Sequence, residues 1–430
     1  FELPEGWEWC RFTSVTVNRD SERKPISSAN RTNVAKIYDY YGASGKIDKI
    51  DKFIFNEKLL LIGEDGANLV TRSKPIAFFA EGQYWVNNHA HCIDSTDKLI
   101  LEYLCLYINA ISLEKYVTGS AQPKMTQDNM NSILIALPPY EEQKRLEFQV
   151  NHILKTVSTI ENEKEDIVNY IISAKSKILD LAIRGKLVPQ DSNDEPASVL
   201  LERIRAEKEE LIKAGKIKRD KKESIIFKGD DNSYYEKVGV EIRCIDSEIP
   251  FEIPDGWMYE RLGNICSIAR GGSPRPIENY LTDDENGLNW IKIGDTEQGG
   301  KYIYSTKEKI RPEGLSKTRY VCSGDFLLTN SMSFGRPYIL RTNGCIHDGW
   351  LVIGGIEIAF HQDYLYYMLS SSIMYNALSS LAVGSTVKNL KSDSVKSLLV
   401  PIPPLAEQAC ISRQIENYFA TMLPIERSLS

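Results

Sequence analysis

Short polar loops carry the side chains of this 430-residue sequence that are best suited to contact a polyanion. Lysine, arginine and serine suit phosphate oxygens, Asn and Gln can pair with the edge of adenine, and Arg with that of guanine. The loops GSAQPK at 119–124 and GSTVKN at 384–389, with the segments ANLVTRSK, ARGGSPR and NSMSFGR, predict a nucleic-acid interface. Its candidate residues are Ser120, Gln122, Lys124, Asn68, Arg72, Lys74, Arg270, Arg275, Asn330, Ser331, Arg336, Ser385, Thr386, Lys388 and Asn389. An ordinary exposed loop is the alternative for each residue, so the prediction depends on both halves of the chain offering such loops in the same order.

The sequence offers no credible set of catalytic residues. In the run LPPY at 137–140, Leu137 stands where adenine-N6 methyltransferases place Asn, Asp or Ser before the prolines. GASGK at 42–46 lacks the GxxxxGK[ST] spacing of a phosphate-binding loop. His89 and His91 would share one face of a strand, but two ligands make no metal site, so a structural role is expected. We therefore predict no catalytic residue, no metal and no cofactor in this chain.

Charge and cysteine content restrict the class of protein. The net charge of −7 argues against a surface that is basic throughout, although a local basic face could still hold nucleic acid. The eight cysteines are scattered without a CxxC pair and are typical of reduced, intracellular thiols. No apolar run reaches the roughly 18 residues of a membrane span. A soluble, cytoplasmic protein without a membrane partner is expected.

Three sequence motifs occur twice in the same order, which indicates a duplicated domain. FELPEGW at 1–7 returns as FEIPDGW at 251–257, and GSAQPKM at 119–125 returns as GSTVKNL at 384–390. LPPYEEQ at 137–143 returns as IPPLAEQ at 402–408. Within each copy, short β-branched and aromatic runs alternate with Gly, Asn and Asp turns and precede a helix-like apolar stretch. Each copy is therefore predicted to be a mixed α/β domain.

A long helix is predicted after the first Pro-Pro pair. From Val150 onward the apolar residues recur at alternating spacings of three and four, as in a coiled-coil seam, over about 46 Å at ~1.5 Å per residue. The second copy begins the same pattern. A single amphipathic helix on a globular core is the alternative to an antiparallel pair. The packing residues expected are Val150, Ile153, Val157, Ile160, Ile167, Ile171, Ile178, Leu181, Ile411, Ile415 and Met422.

The segment between the copies contains a good helical pattern at 197–214 and the basic run KIKRDKK at 216–222. Such a run could contact nucleic acid, but a solvated charged linker is the commoner meaning.

The combination of motifs resembles the DNA-specificity (S, HsdS) subunit of Type I restriction–modification systems. LDLAIRGKLVPQD at 179–191, GGSPRP at 271–276 and WIKIGD at 290–295 are similar to patterns of that family. The resemblance implies an α+β fold in which two mixed α/β target recognition domains, related as a pseudo-twofold internal repeat, are separated by long antiparallel coiled-coil spacer helices. The expected segments are target recognition domains at 1–138 and 251–402, a conserved spacer helix at 139–186, a conserved linker at 187–250, and a second, incomplete spacer helix at 403–430.

The family resemblance also implies a function. Each domain would read one half of a bipartite, asymmetric site in double-stranded DNA. Two methyltransferase (M) subunits would dock on the helices, motor/nuclease (R) subunits would join through M, and these partners would methylate adenine or restrict. S-adenosylmethionine, ATP and magnesium would belong to the partners. Because the second helix is short, a permuted layout is expected, in which the full protein begins with a piece resembling residues 165–250.

A protein of another class remains as the alternative: a non-DNA coiled-coil scaffold or adaptor with two protein-binding domains. Salt dependence separates the two hypotheses. DNA binding weakens steeply as salt rises, because bound counterions are released, whereas a hydrophobic coiled-coil contact does not.

Overall fold

The computed structural model describes residues 2–119, 122–219, 223–297, 299–331, 334–382 and 389–429. The chain divides into two compact units, residues 1–163 and 164–430. Across the described ranges, every helix is either too short or too polar to serve as a membrane span.

The first unit combines small antiparallel and mixed sheets with short helices. Its strands are β1 Glu8–Arg11, β2 Val17–Asn18, β3 Tyr38–Gly42, β4 Gly45–Ile50, β5 Phe55–Asn56, β6 Leu59–Gly63, β7 Ala77–Ala80, β8 Gln83–Val86, β9 Ala90–Asp94 and β10 Leu134–Leu137. Its helices are α1 Phe12–Val15, α2 Ser28–Thr32, α3 Asn68–Thr71, α4 Lys98–Ala110 and α5 Gln127–Asn131. The sheets have the strand orders β1-β10, β2-β9-β6-β7 and β4-β3-β8-β5.

Strand β6 lies at the centre of this unit because its sequence is apolar on both faces. Successive side chains of a strand point to opposite faces. Leu60 and Ile62 pack into the cluster that contains residues of α4, whereas Leu59 and Leu61 pack into the cluster of the second sheet. All four side chains are fully buried. The sheet β2-β9-β6-β7 is therefore covered on both sides.

Helix α6 spans Tyr140–Ile183, a length of 44 residues, and begins directly after the first Pro-Pro pair. Glu141 and Glu142 lie in its first turn, where carboxylates complement the positive end of the helix dipole. Its C-terminus closes at Gly185, which has a φ of +65°. There the Lys186 N–H donates to the Leu181 carbonyl at 2.9 Å, the 6→1 bond of a glycine-capped helix end.

The second unit contains the rest of the chain. Its helices after α6 are α7 Ala197–Lys213, α8 Leu262–Ile265, α9 Gln362–Ser370, α10 Ser372–Leu381, α11 Ser392–Lys396 and α12 Leu405–Leu429. Its strands are β11 Ser224–Lys228, β12 Tyr234–Val238, β13 Glu241–Cys244, β14 Met258–Arg261, β15 Ser267–Arg270, β16 Leu281–Thr282, β17 Leu288–Ile291, β18 Tyr302–Ile303, β19 Glu308–Ile310, β20 Arg319–Val321, β21 Phe326–Thr329, β22 Pro337–Leu340, β23 Gly344–Ile346, β24 Trp350–Gly354 and β25 Leu399–Ile402.

The two units share one strand connectivity. The order β2-β9-β6-β7 of the first unit returns as β15-β24-β21-β22 in the second, and the pair β1-β10 returns as β14-β25. The order β4-β3-β8-β5 returns as β19-β17-β23-β20, and both versions contain one parallel pair, β3 with β8 and β17 with β23. Strands β16 and β18 are additions in the second unit. The internal repeat predicted from the sequence motifs is thus present in the topology.

The linker between the copies is more structured than the sequence analysis anticipated. Helix α7 forms where the pattern predicted it, but β11, β12 and β13 then build a three-stranded antiparallel meander. In the basic run, Arg219 pairs with Glu209 of α7 at 2.6 Å. Residues 220–222 of that run lie outside the described residues.

Within the second unit, α12 runs antiparallel to the C-terminal part of α6. Lys175 Nζ contacts Glu426 Oε1 at 2.6 Å, whereas Gln190, beyond the end of α6, contacts Glu407 near the start of α12. Ile171, Ile411 and Ile415 of the predicted seam are buried there. The remaining seam positions on this stretch, Ile178, Leu181 and Met422, are half-buried.

The N-terminal part of the predicted seam is exposed in the described structure. Ile153, Val157, Ile160 and Ile167 are 57%, 46%, 59% and 40% exposed, and Val150 is half-buried. Close to the C-terminal end of α6 the deepest burial falls at Leu179, Ala182 and Ile183. The described residues therefore do not form a packed seam over the whole length of α6.

Candidate nucleic-acid interface

In the first unit, the loop around Lys124 lies beside the ends of β6 and β9. Lys124 Nζ is 3.1 Å from Glu64 Oε1, directly after β6, and the backbone of Lys124 forms an isolated bridge with Asp65. His89, just before β9, places Nδ1 2.7 Å from Asp65 Oδ2. Gln122 is exposed next to this group. Ser120 lies outside the described residues.

The other candidates of the first unit lie on the segment that follows Asp65. Asn68 closes its own loop, because its Oδ1 accepts from Lys74 N at 2.9 Å and its Nδ2 donates to Lys74 O at 3.1 Å. The Arg72 guanidinium donates to the carbonyls of Asn109 and Ile111 at the C-terminus of α4, both at 2.5 Å. Lys74 is exposed. The segment begins against the Lys124 loop, because Gly66 N donates to the Pro123 carbonyl at 2.9 Å. The side chains of Asn68 and Arg72 are nevertheless engaged, within the segment and at a helix end.

A buried ionic group beneath the Lys124 loop was missed by the sequence analysis. His91 is fully buried, with Nδ1 2.6 Å from Asp20 Oδ2 and Nε2 2.9 Å from the carbonyl of Met125. Arg23 contacts Glu64 at 2.5 Å and Asp20 at 3.2 Å. Burial raises the pKa of Asp20, but its bond with His91 and the nearby charges outweigh this and hold the pKa below its ordinary value. The group therefore links residues 20–23 to the loop that follows β6.

In the second unit, three candidates converge on Asp348. The backbone carbonyl of Asp348 accepts from Arg270 Nε at 2.9 Å and from Asn330 Nδ2 at 2.8 Å. Its Oδ2 is 3.3 Å from Arg275, and its Oδ1 accepts from Ser273 Oγ at 2.8 Å. The two arginine side chains remain 56% and 79% exposed, so most of their donors face solvent. A carboxylate is not expected from composition at a polyanion interface, which is why Asp348 was missed.

Two glycines allow this convergence. A Cβ on Gly271 would lie 2.3 Å from the carbonyl oxygen of His347, because the chain after β15 runs directly against the segment that precedes β24. Gly271 N also donates to the Trp350 carbonyl at 3.0 Å. Because Gly271 and Gly272 have no Cβ, the backbone between Arg270 and Arg275 can pack directly against neighbouring backbone.

The ring of His347, next to Asp348, is held by two backbone N–H groups. Its Nε2 is 3.1 Å from Ile293 N and its Nδ1 is 2.7 Å from Gly349 N, and burial lowers its pKa. Asp348 next to it has a pKa below its ordinary value, because the Ser273 hydrogen bond and the nearby cations outweigh the effect of burial. At neutral pH this places an ionised carboxylate between two arginines.

The remaining candidates of the second unit are spread more widely. Arg336 is exposed and lines a cleft with Ile172 and Ser176 of α6. Ser331 is half-buried and Asn389 is exposed. Ser385, Thr386 and Lys388 lie outside the described residues.

The candidate loops of the two units are held by equivalent backbone bonds. Glu64 N donates to the His89 carbonyl at 2.9 Å, and Asn330 N donates to the Gly349 carbonyl at 2.9 Å. The carbonyls of Glu64 and Asn330 accept from Met125 and Leu390, respectively, at 2.7 and 2.9 Å. Each unit therefore joins the residue after its central strand to the segment before β9 or β24 and to the end of its Gly-Ser loop.

Within the described ranges, His, Cys, Asp and Glu side chains form no group of three or more that could hold a metal ion. His89 and His91 contact different carboxylates, Asp65 and Asp20. What the site offers is cationic and amide donors on short loops, the chemistry of phosphate and base-edge contact.

Comparison with known proteins agrees with this chemistry. Residues 4–178 and 254–429 each match the family described as Type I restriction modification DNA specificity domain. These matches cover most of the chain, and the chain belongs to this family. The resemblance recognised from the sequence motifs is confirmed.

Individual relatives carry the same description. The chain is 27% identical to the Type I restriction enzyme EcoEI specificity subunit of Escherichia coli, in an alignment covering 97% of this chain and 78% of that protein. It is 28% identical to the EcoAI specificity subunit of Escherichia coli, over 63% of this chain and 53% of that protein.

Solved structures share the fold. The HsdS subunit from Thermoanaerobacter tengcongensis has a TM-score of 0.51 at 16% identity, covering 100% of this chain and 93% of that one. A chain from a study of assembly and conformational transition in the type I R-M system has a TM-score of 0.55 at 16% identity, covering 100% and 94%. The fold is thus HsdS-like, with two specificity domains of mixed helix and sheet and a long helix, as predicted.

Proposed function

We propose that this chain is the DNA-specificity subunit of a Type I restriction–modification complex. Each of two target recognition domains, residues 1–138 and 251–402, reads one half of a bipartite, asymmetric site in double-stranded DNA. The chain itself does no catalysis; it directs adenine methylation or restriction by its partners. The observation that carries this proposal is the repeated specificity domain, in which equivalent backbone bonds present polar and cationic loops.

Differences between the loops support an asymmetric site. The first unit offers Lys124 and Gln122 above a buried ionic group, whereas the second offers Arg270 and Arg275 around Asp348. Arginine pairs bidentately with guanine, and glutamine with adenine, so the unlike side chains that the two units offer favour unlike half-sites. Asn330 is 1% exposed and bonded to the Asp348 carbonyl, so its proposed role is to support the loop. The remaining proposed contacts are Ser120, Asn68, Lys74, Ser331, Arg336, Ser385, Thr386, Lys388 and Asn389.

The helices serve as spacer and docking surface in this proposal. Residues 139–186 form the central spacer, 187–250 the linker, and 403–430 a second spacer segment, paired as an antiparallel coiled coil with pseudo-twofold symmetry. The contacts of Lys175 with Glu426 and of Gln190 with Glu407 support the antiparallel direction. Two M subunits dock on the helices, and R subunits join through M. S-adenosylmethionine, ATP and magnesium are bound by those partners.

The test is co-purification with the M subunit encoded beside this chain, followed by mapping of methylated adenines in the host genome. A split, asymmetric motif that disappears when the gene is deleted is the expected result. Exchange of residues 1–138 for those of a relative should then change one half of the motif only. A methylation pattern that is indifferent to deletion would contradict the proposal.

The salt dependence of DNA affinity distinguishes this proposal from the scaffold alternative. The purified complex should lose DNA affinity steeply between about 50 and 200 mM salt, through counterion release. A protein-binding scaffold would keep its partner contacts over that range and would show no salt-dependent DNA binding.

A further inference from the structure

Arg319, the first residue of strand β20, is an exposed cation that the sequence analysis did not name as a candidate. Its Nε donates to the backbone carbonyl of Arg270 at 3.2 Å. Among the described residues, no carboxylate pairs with Arg319 and no acceptor bonds to its Nη groups. A guanidinium carries donors on Nε and on both Nη atoms, so the Nη groups of Arg319 remain available to another molecule.

Gly272 allows the start of β20 to reach Arg270. A Cβ on Gly272 would lie 2.5 Å from the carbonyl oxygen of Lys317 and 3.4 Å from the Cα of Thr318, so a side chain there would push the two segments apart. The carbonyl of Ile346 accepts from Gly272 N at 3.2 Å and from Thr318 Oγ1 at 2.7 Å. One main-chain oxygen therefore holds both the glycine turn and the residue before Arg319.

Arg270 is held in the same way as Arg319. Its Nε donates to the backbone carbonyl of Asp348 at 2.9 Å, and that carbonyl also accepts from Asn330 Nδ2 at 2.8 Å. Its Nη2 is 4.0 Å from the Asp348 carboxylate, and its side chain is 56% exposed. In each of the two arginines a main-chain carbonyl occupies Nε, which restricts the plane of the guanidinium and leaves the edge formed by the two Nη groups.

This arrangement suits one kind of acceptor in particular. The major-groove edge of guanine presents two acceptors, O6 and N7, which match two parallel N–H donors of a planar guanidinium. A phosphate requires only positive charge at the right distance, which a freely rotating side chain supplies as well. The orientation of Arg319 by a backbone bond therefore favours a base contact.

The first unit carries different chemistry at the place of Arg270. Arg270 is opposite Leu351 of β24, which pairs with the central strand of its sheet as His91 of β9 does in the first unit. His91 is contacted by Asp20, whose carboxylate is 2.6 Å from the imidazole. An acidic residue that faces inward thus replaces an arginine that faces solvent. A guanine contact of this kind is therefore expected in one half-site only.

We propose that Arg319 is a further base-reading residue of this chain. Its Nη groups pair with O6 and N7 of a guanine in the half-site that the second unit contacts, next to the base pair contacted by Arg270. This inference rests on the proposed function, and it names a residue and a base for one of the two half-sites.

The test uses the full chain assembled with its methyltransferase partners and a duplex that contains the motif found by genome mapping. The half-site that survives exchange of residues 1–138 is the one assigned to the second unit. Arg319→Ala should lower kcat/KM for methylation of this duplex about tenfold or more, and the preference for guanine at one position of that half-site should fall by a similar factor. Preference in the other half-site should not change, which also shows that the complex is folded.

Arg341→Ala is the matched control. Arg341 is an exposed arginine of the same unit and follows the last residue of β22, at the end of the sheet away from Asn330. Its guanidinium lies 4.5 Å from the centre of the Tyr302 ring. Methylation and base preference should stay at the wild-type level. A change in guanine preference with Arg341→Ala as large as that with Arg319→Ala would overturn the assignment.

A modified base tests the contact itself. Replacement of the guanine by 7-deazaguanine removes the N7 acceptor and leaves the pairing with cytosine intact. It should weaken DNA binding by the wild-type complex several-fold, and should have little further effect on the Arg319→Ala complex, which has already lost the contact. Equal effects on both complexes at every guanine of the half-site, or a half-site without guanine, would overturn the inference.

Arg319→Lys separates a base contact from a phosphate contact. Lysine keeps the charge but has no planar pair of donors, so guanine preference should be lost as it is with alanine. If Arg319 contacts a phosphate, lysine should instead retain wild-type behaviour. Alanine would then weaken binding to all sequences alike and reduce the salt slope by about 1, which overturns the base contact.

The two levels of the argument can fail separately. If no methylated motif depends on this chain, the proposed function and this inference are both overturned. If a dependent motif exists and Arg319→Ala reads its guanines as strictly as the wild type, only the inference about Arg319 is overturned.

Discussion

Trp257 Nε1 and Glu407 Oε2 are 2.8 Å apart, so the motif FEIPDGW at the start of the second domain is bonded directly to the Pro-Pro-x-x-Glu-Gln motif at its end. The sequence places these residues 150 positions apart. Burial raises the pKa of the Glu407 carboxyl, although the hydrogen bonds from Trp257 and Gln190 act in the opposite direction. The glutamate of Pro-Pro-x-x-Glu-Gln is thus a helix-start residue and also the acceptor for a buried indole.

Glu407→Ala should destabilise the protein by about 1–3 kcal/mol, because the Trp257 N–H loses its acceptor inside the core. The measurement is urea unfolding followed by tryptophan fluorescence. Glu142→Ala, the same position in the first copy, is the control and should cost much less. Equal losses from the two substitutions would contradict the role given to this bond.

Arg275→Ala should weaken specific DNA binding by about 1–3 kcal/mol, the usual value of a well-placed arginine contact. Arg275 is 79% exposed and is held at 3.3 Å by Asp348, so it is available to DNA and already oriented. The assay is DNA binding by the assembled complex at fixed salt. Arg203→Ala is the control, since Arg203 is an exposed residue of α7 paired with Glu195. A complex that binds equally well without Arg275 would remove this residue from the interface.

The ion pairs of Glu236 predict a pH dependence. Burial raises the pKa of this carboxyl, but hydrogen bonds from Arg261, Ser224 and Arg243 outweigh it and hold the pKa at about 2. Because the pKa is lower in the folded state, the contribution is present above the ordinary glutamate pKa and is lost as the pH falls from about 4.5 towards 2. Glu236→Gln should therefore lower stability by roughly 2–3 kcal/mol at pH 7 and progressively less in acid.

Urea titrations of both forms between neutral pH and about pH 3 measure this difference. Glu241→Gln, an exposed change on the neighbouring strand β13, should behave as the wild type at every pH. A wild-type advantage over Glu236→Gln that stays constant down to pH 3 would refute the linkage.

Shortening an isoleucine side chain of α6 should lower the stability of the protein by different amounts along the helix. Ile171→Ala should cost about 2–4 kcal/mol, because Ile171 is 8% exposed and leaves a cavity. Ile160→Ala should stay within about 0.5 kcal/mol in the isolated chain, because that side chain is 59% exposed. Thermal unfolding by circular dichroism compares them. A large loss from Ile160→Ala alone would indicate that the exposed stretch is covered in solution.

Short motifs made the repeat and the family predictable from sequence, because Pro-Pro, glycine turns and a buried tryptophan each have a strong local preference. The contact made by the glutamine of the Glu-Gln pair was not predicted. Gln143 Nε2 donates back to the Pro138 carbonyl at 2.9 Å, and Gln408 Nε2 does the same to the Pro403 carbonyl at 3.1 Å. A glutamine five residues after a proline was the available signal for that contact.

The candidate site was harder to predict, because its geometry depends on long-range contacts. Arg270, Arg275 and Asn330 were named as separate loop residues, and only the fold shows that they meet at Asp348. Arg72 looked like a free cation in sequence, yet it lies at the C-terminus of a helix that begins 26 positions later at Lys98. The meander β11-β12-β13 was not predicted, because its short alternating strands lie in a highly charged stretch of sequence.

The equivalent backbone bonds at Glu64 and Asn330 have a further consequence. A main-chain N–H and carbonyl fix each position, and the side chains there differ in charge, size and partners. Glu64 and Asn330 are themselves buried, at 8% and 1% exposure, so they anchor the neighbouring loops from beneath. The exposed side chains of those loops are the positions that can change one at a time without refolding the sheets. A scaffold of this kind can acquire a new target preference by ordinary point substitutions as well as by exchange of whole domains.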